Sequence, residues 1–471
     1  MTRPDPDFAA DLAALEAAAR AAVAYRTAMP SAERWPVKAY DALLADFRTP
    51  TPETGADPAA LIEELAAKSE PGLRGATGSR FFGWVIGASH PAGVAADWLA
   101  SAWGQNSANV TAAPAACAVE QVACEWLLDL LDLPRESSIG LVTGATVANF
   151  VCLAAARSAV LAKVGWDVER DGLFGAPEVH VVLGEDAHST LYSALKYLGL
   201  GAGRVKKVAT DDQGRMIPAA FAETLRTLKG PIIAIAQAGQ INTGAFDPMA
   251  EIAPLAKAAG AWLHVDGAFG LWARACPSRA HLGEGYELAD SWGTDGHKWL
   301  QTPYDCGFAI VRDAEAHRRA MAISASYLPP AEGEARDPSQ YVMELSRRGR
   351  GFATWAVIKA LGRTGIAEMV ERHCRFAADL AQRLAREPGV RIVNDVVLNQ
   401  IIIRFGEGEG SDAETLAVID RVQEDARCFM GGGVWRGQWV MRVSVCGGPT
   451  GPADLDPVAE AVIDAWRAVR G

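Results

Sequence analysis

Four short segments of this chain carry residues whose types and order could do chemistry. In Thr294-Asp295-Gly296-His297-Lys298-Trp299, a lysine sits between histidine and tryptophan, ahead of a further apolar run. Such surroundings strip water from the amine, disfavour its charged form and leave a nucleophile toward an aldehyde; Lys206 and Lys207, by contrast, read as surface charges. In His264-Val265-Asp266-Gly267-Ala268-Phe269-Gly270, an aspartate ends an apolar strand. A carboxylate there is costly unless a cation or several donors meet it, and the small residues that follow leave room for a flat ligand. An Asx-turn closing the strand is the alternative. Val142-Thr143-Gly144-Ala145-Thr146 stands between a strand and a helix pattern. Its small residues and hydroxyls would let a helix N-terminus grip an anion, although a strand-to-helix turn uses the same residues for conformation alone. Asp186-Ala187-His188-Ser189-Thr190 places a histidine at a fourth strand end, or is a helix entry capped by Ser189 or Thr190.

These segments need a scaffold that brings them together. Apolar runs of strand length occur at 139–142, 179–183, 232–236, 262–265 and 308–311, separated by helical patterns at 147–164, 190–198, 219–228 and 248–258. This alternation predicts an α/β fold whose mostly parallel sheet has helices on both faces, with ligands gathering at the carboxyl ends of the strands. Upstream, helical patterns cover 8–25 and 58–68, and an Ala-, Leu- and Trp-rich stretch covers 94–133. Downstream, a helix at 366–386, strands at 401–404 and 439–445, and helices at 413–424 and 457–469 predict a smaller α+β unit. The expected organisation is an N-terminal helical segment 1–75, a large domain 76–362 and a small C-terminal domain 363–471.

Bulk properties narrow the function. A net charge of −12 over 471 residues, spread along the chain, argues against nucleic acid or an anionic membrane as partner. The eight cysteines, at 117, 124, 152, 276, 306, 374, 428 and 446, form no CxxC pair and no zinc-ligand spacing with histidine. Buried free thiols, a reducing compartment and no metal are expected. Residues 1–10 lack an apolar signal core, and no apolar run of spanning length is expected, so the sequence predicts a cytoplasmic protein.

In combination the four segments resemble the pyridoxal-phosphate (PLP)-dependent group II decarboxylases, relatives of the aromatic-amino-acid, glutamate and tyrosine decarboxylases. The likeness spans nearly the whole chain. It rests on His297-Lys298-Trp299 and His264-Val265-Asp266, with further matches at Arg80-Phe81-Phe82-Gly83, Asn242-Thr243-Gly244-Ala245-Phe246-Asp247-Pro248, Ser346-Arg347-Arg348 and Met441-Arg442-Val443-Ser444-Val445. The resemblance implies PLP fold type I (aspartate-aminotransferase-like), with a seven-stranded sheet in the large domain. It implies that Lys298 holds the cofactor covalently, Asp266 pairs with its ring nitrogen, His188 stacks on one face and Ala268 packs on the other, and that Ala145, Thr146 and His297 hold the phosphate. Loss of CO2 from an amino acid is the implied reaction, in a homodimer with the site at the subunit interface. The region containing Phe82, Trp84 and Ile86 corresponds to the relatives' substrate pocket, and its apolar content favours an aromatic or hydrophobic side chain; Arg348 is the cation available to an acidic one. The relatives' proton-donating tyrosine falls near Pro338 here, with Tyr327 and Tyr341 as substitutes, and Gly239-Gln240-Ile241 stands where the family often has two threonines. Aldehyde formation with release of ammonia and peroxide, lysis, transamination, or PLP binding with weak activity are the alternatives.

Overall fold

The structure, a computed structural model, describes residues 6–29, 36–323 and 336–471. Helices α1 (Pro6–Ala28), α2 (Tyr40–Phe47) and α3 (Pro58–Ser69) form an N-terminal arm, and α4 (Pro91–Ala102) and α5 (Pro114–Leu130) lead into the first sheet. Proline at the first turn fixes the start of several of them. In α3, Pro58 follows an Asp57 cap that accepts the Ala60 N–H at 2.8 Å.

Seven strands follow: β1 (Ser138–Val142), β2 (His180–Gly184), β3 (Lys206–Val208), β4 (Ile232–Gln237), β5 (Trp262–Asp266), β6 (Ser291–Asp295) and β7 (Gly307–Val311). They order as β1-β7-β6-β5-β4-β2-β3. All are parallel except β7, which runs against both neighbours. Helices α6 (Ala145–Ala162), α7 (Val168–Asp171), α8 (Ser189–Tyr197), α9 (Pro218–Arg226) and α10 (Met249–Ala258) lie between successive strands, and α11 (Ala314–Met321) follows β7. Strand β4 shows why these runs lack alternation. Ile232, Ala234 and Ala236 enter the core on one face of the sheet, Ile233 and Ile235 the core on the other.

Helix α12 (Arg350–Leu384) breaks at Gly362, whose φ of 63° no continuous helix accepts. Beyond it, β8 (Val390–Ile392), β9 (Gln400–Phe405), β10 (Gly431–Trp435) and β11 (Gln438–Ser444) make an antiparallel sheet of order β10-β11-β9-β8, packed by α13 (Ser411–Asp425) and α14 (Leu455–Arg470).

Several expectations need correction. Strand β6 is absent from the apolar runs expected as strands. Its sequence Ser-Trp-Gly-Thr-Asp has low strand propensity, but it pairs on both edges and is wholly buried, so the ladder decides. The edge strand β3 is short and presents exposed Lys206 and Lys207, which blunt the edge. Helix α6 is apolar enough along its length to cross a membrane by composition, contrary to the expectation of no such run; 72% of it is buried inside the protein.

Candidate active site

The carboxyl ends of β1, β2, β5 and β6 bring all four segments to one place. A cavity of about 330 Å3 is lined there by Thr143 to Val147, His188, Thr190, Ala268, Asp295, His297, Lys298 and Tyr304. A larger groove, about 650 Å3, runs between Pro277 and α12, where Glu371 is already engaged by Arg279 and Arg375; it contains none of the four segments.

The anion-type loop is set by close packing. A Cβ on Gly144 would stand 2.9 Å from the His297 ring and 3.2 Å from Asp295, so only glycine lets the start of α6 approach them. The Ala145 N–H donates to Asp295 Oδ1 at 2.5 Å. His297 Nδ1 accepts the Cys306 N–H at 3.1 Å, which puts the proton of the neutral ring on Nε2, 3.5 Å from Asp295 Oδ1. Burial lowers the His297 pKa, and the ring stacks on Tyr304 at 4.3 Å.

His188 itself caps α8, in place of the expected Ser189 or Thr190. Its Nδ1 meets the Thr190 N–H at 3.3 Å and Thr190 Oγ1 at 2.8 Å. The neutral ring therefore carries its proton on Nε2, and desolvation lowers its pKa.

Asp266 ends β5 and is 5% exposed. Its Oδ1 accepts the Ala268 N–H at 3.3 Å, so the Asx-turn exists, yet that bond does not offset burial, which raises the carboxyl pKa. Among the described residues no lysine or arginine is in ion-pair contact with it, and the nearby charges of His188 and Lys298 only partly oppose the effect of burial.

Lys298 is not in the purely apolar setting its neighbours suggest. Its Nζ lies 2.9 Å from Asp295 Oδ2. Asp295 thus touches the lysine and the α6 N-terminus, and sequence reasoning missed its role. The rule that singled out Asp266, an acid ending a buried strand, applies equally to Asp295 once β6 is recognised. Arg442 on β11 does not line the cavity but is near enough for its charge to reach the site. Its Nη2 donates to Ile241 O at 2.8 Å, its Nε has no partner among the described residues, and burial lowers its pKa. Its charge helps to depress His188.

The proposed substrate residues separate. Trp84 is 57% exposed, held out by a left-handed backbone (φ 53°), and stacks on Phe429 at 5.6 Å beside Phe81. Ile86 is half-buried next to Gly87, whose N–H donates to His297 O. Phe82 is core: it is 1% exposed and stacks on Phe376. Tyr341 faces away from the cavity, packing edge-on against His317 under Arg336. Arg348 is committed to Asp97 in a two-pronged pair at 2.9 and 2.6 Å. Tyr327 lies outside the described residues. At the variant segment, Gln240 is 3% exposed and its Oε1 accepts the Asn242 and Thr243 N–H groups, so it shapes the turn.

Residues 42–405 match the pyridoxal-dependent decarboxylase conserved domain. The chain is 26% identical to the phenylacetaldehyde synthase of Arabidopsis thaliana, over 91% of this chain and 88% of the relative. It is also 26% identical to an aromatic-L-amino-acid decarboxylase of Bacillus atrophaeus, over 79% and 76%. In fold it superposes on the crystal structure of Oryza sativa TDC with PLP and tryptamine, with a TM-score of 0.91 over the full length of both chains at 22% identity.

Proposed function

Because the chain belongs to the pyridoxal-dependent decarboxylase family, we propose that it removes the carboxylate of an aromatic or large apolar L-amino acid. The residues present fit the cofactor. The tightly packed start of α6 and His297 suit its phosphate, Lys298 its aldehyde, and Asp266, buried with no cation in contact, its ring nitrogen. Bound there, PLP supplies a carbonyl for the substrate amine and a protonated ring that accepts electrons when the bond to the carboxylate breaks. Asp266 keeps the ring nitrogen protonated, because a buried carboxylate gains most when a cation sits beside it. His188, neutral with Nε2–H, presents a flat face and a donor. Arg442, desolvated and with Nε unpaired among the described residues, is the cation for the substrate carboxylate.

The observation that carries the substrate class is the aromatic cluster of Phe81, Trp84 and Phe429, outside the cavity lining but joined to it through the chain. Phe81 and Trp84 stand on the segment whose Gly87 is pressed against the Lys298 carbonyl. The relatives named for aromatic substrates agree with it, and Arg348, tied to Asp97, leaves an acidic side chain without that partner. The test is turnover across the twenty amino acids with products identified by mass spectrometry. Amines from Trp, Tyr or Phe are expected, and exclusive turnover of Glu or Asp overturns the proposal.

A second reading, oxidative release of an aldehyde, is favoured by one observation: Tyr341 packs on His317 rather than in the cavity. Stoichiometric aldehyde, ammonia and hydrogen peroxide in place of amine, with O2 consumed, would select it. We further propose a homodimer with the site at the interface. Leu12, Leu15, Val23, Leu61 and Leu65 on the arm, and Trp98, Leu99 and Trp103 at α4, expose apolar surface, and α2 and α3 bury none of their residues. Sedimentation at about twice the 49.9 kDa chain mass is expected. A reducing, cytoplasmic location is proposed from eight cysteines that are all free and buried.

A further inference from the structure

Gln301 is three residues beyond the reactive lysine, is 1% exposed, and adopts a left-handed backbone (φ 67°) that a non-glycine residue takes only when its surroundings hold it there. Its side-chain amide is saturated. Oε1 accepts the Ala88 N–H at 2.7 Å and the Gly448 N–H at 2.9 Å. Nε2 faces the carbonyls of Lys298 and Trp299, both at 3.1 Å, and of Cys446 at 2.6 Å. Two N–H groups on one side and three carbonyls on the other permit a single orientation of the amide. The main chain adds a bond from the His90 N–H to Gln301 O at 2.7 Å. One buried side chain thereby joins three segments remote in sequence: the lysine turn, the stretch after Phe81 and Trp84, and the exit of β11 beyond Arg442. No other natural side chain of this length both accepts two and donates two hydrogen bonds; glutamate would face three carbonyls with a carboxylate, and methionine would orphan every partner.

We propose that Gln301 is a positioning residue for the reaction, fixing the Lys298 carbonyl relative to the stretch at Ala88 and to the strand that carries Arg442, so that amine, substrate and carboxylate clamp keep one relative geometry. Gly87 supports the same register, because any Cβ there would run into the Lys298 carbonyl oxygen. The role rests on Lys298 being the attachment point of PLP, and the test keeps the two apart. Wild-type holoenzyme and Q301M are reduced with borohydride and mapped by mass spectrometry. The affinity for PLP, the pH midpoint of the visible absorbance, and kcat and KM are then measured on both. In Q301M, Lys298 should still be labelled, while PLP affinity weakens about tenfold, the midpoint moves by about half a pH unit or more, and KM rises more than kcat falls. If Q301M is insoluble, Q301N, which keeps the amide but is one methylene short of Ala88 and Gly448, is read the same way. A folded variant with a lower Tm but with affinity, midpoint and KM within about twofold of wild type makes Gln301 merely structural and overturns the proposal. Absence of label on wild-type Lys298 instead overturns the attachment itself.

Discussion

Strands β5 and β6 lie side by side and each ends in a buried aspartate, yet the two carboxylates live differently. Asp295 is met by a cation and a helix N-terminus: Lys298 Nζ at 2.9 Å and the Ala145 N–H at 2.5 Å. Asp266 has the Ala268 N–H at 3.3 Å and a pKa raised by burial. The difference teaches where the missing partner belongs. A protein that buries a carboxylate with no cation in contact has left that place for a positive group to be brought in, whereas Asp295 is already answered from within the chain.

The sharpest way to break this contrast is to neutralise each acid. For D266N, turnover should fall by about 10²–10³-fold, the scale of losing one preorganised charge at a reacting group. The cofactor-free protein should respond oppositely. A carboxyl whose folded pKa is raised binds its proton more tightly in the native state, so wild-type stability falls as pH rises from the ordinary carboxylate range through the raised one. Asparagine removes that loss, and thermal melts of apo wild type and D266N should converge at acid pH and separate, with the variant higher, at alkaline pH. A D266N protein with near-normal kcat would erase the distinction between the two acids.

For D295N the expected effect is smaller and of different kind. The substitution removes a negative charge from the N-terminus of α6, where a phosphate would sit, and frees Lys298. Affinity for PLP and for inorganic phosphate should rise several-fold, about 1 kcal/mol, when followed by fluorescence titration. A fall in affinity would show that Asp295 serves the phosphate rather than opposing it.

Smaller still are the residues that the sequence placed near the chemistry and the fold carried away. Y341F should leave kcat/KM within about twofold, since the ring packs on His317 and Arg336. Removing the half-exposed Arg348–Asp97 pair should cost only about 0–1 kcal/mol of stability. A tenfold loss of turnover in Y341F would return that phenol to the reaction.

The same contrast explains what could be read from the sequence. Lys298, Asp266 and His188 stand out because each is a polar residue where a buried strand meets its loop, and the β-α rhythm places those loops on one side. Strand β6 escaped because Ser-Trp-Gly-Thr-Asp resembles a loop, and with it went the strand-end reading of Asp295. Arg442 bonds Ile241, and Gln301 bonds Ala88, Cys446 and Gly448, all remote in sequence, so these links leave no local signature. Tyr341 misled for the converse reason: spacing from the lysine measures chain length, while the turn at Pro338–Tyr341 sends its ring to His317 behind β1. Trp84 reads equally as core or pocket in the sequence; its left-handed backbone and exposure put the ring on the surface of the Phe81–Phe429 cluster.

The most direct measurement is borohydride reduction of the PLP-loaded protein followed by peptide mass spectrometry, with K298A alongside. The account predicts a single pyridoxyl mass addition on Lys298, a visible absorbance band that disappears on reduction, and neither in K298A. A pyridoxyl group on another lysine, or none on wild-type protein saturated with PLP, would contradict it.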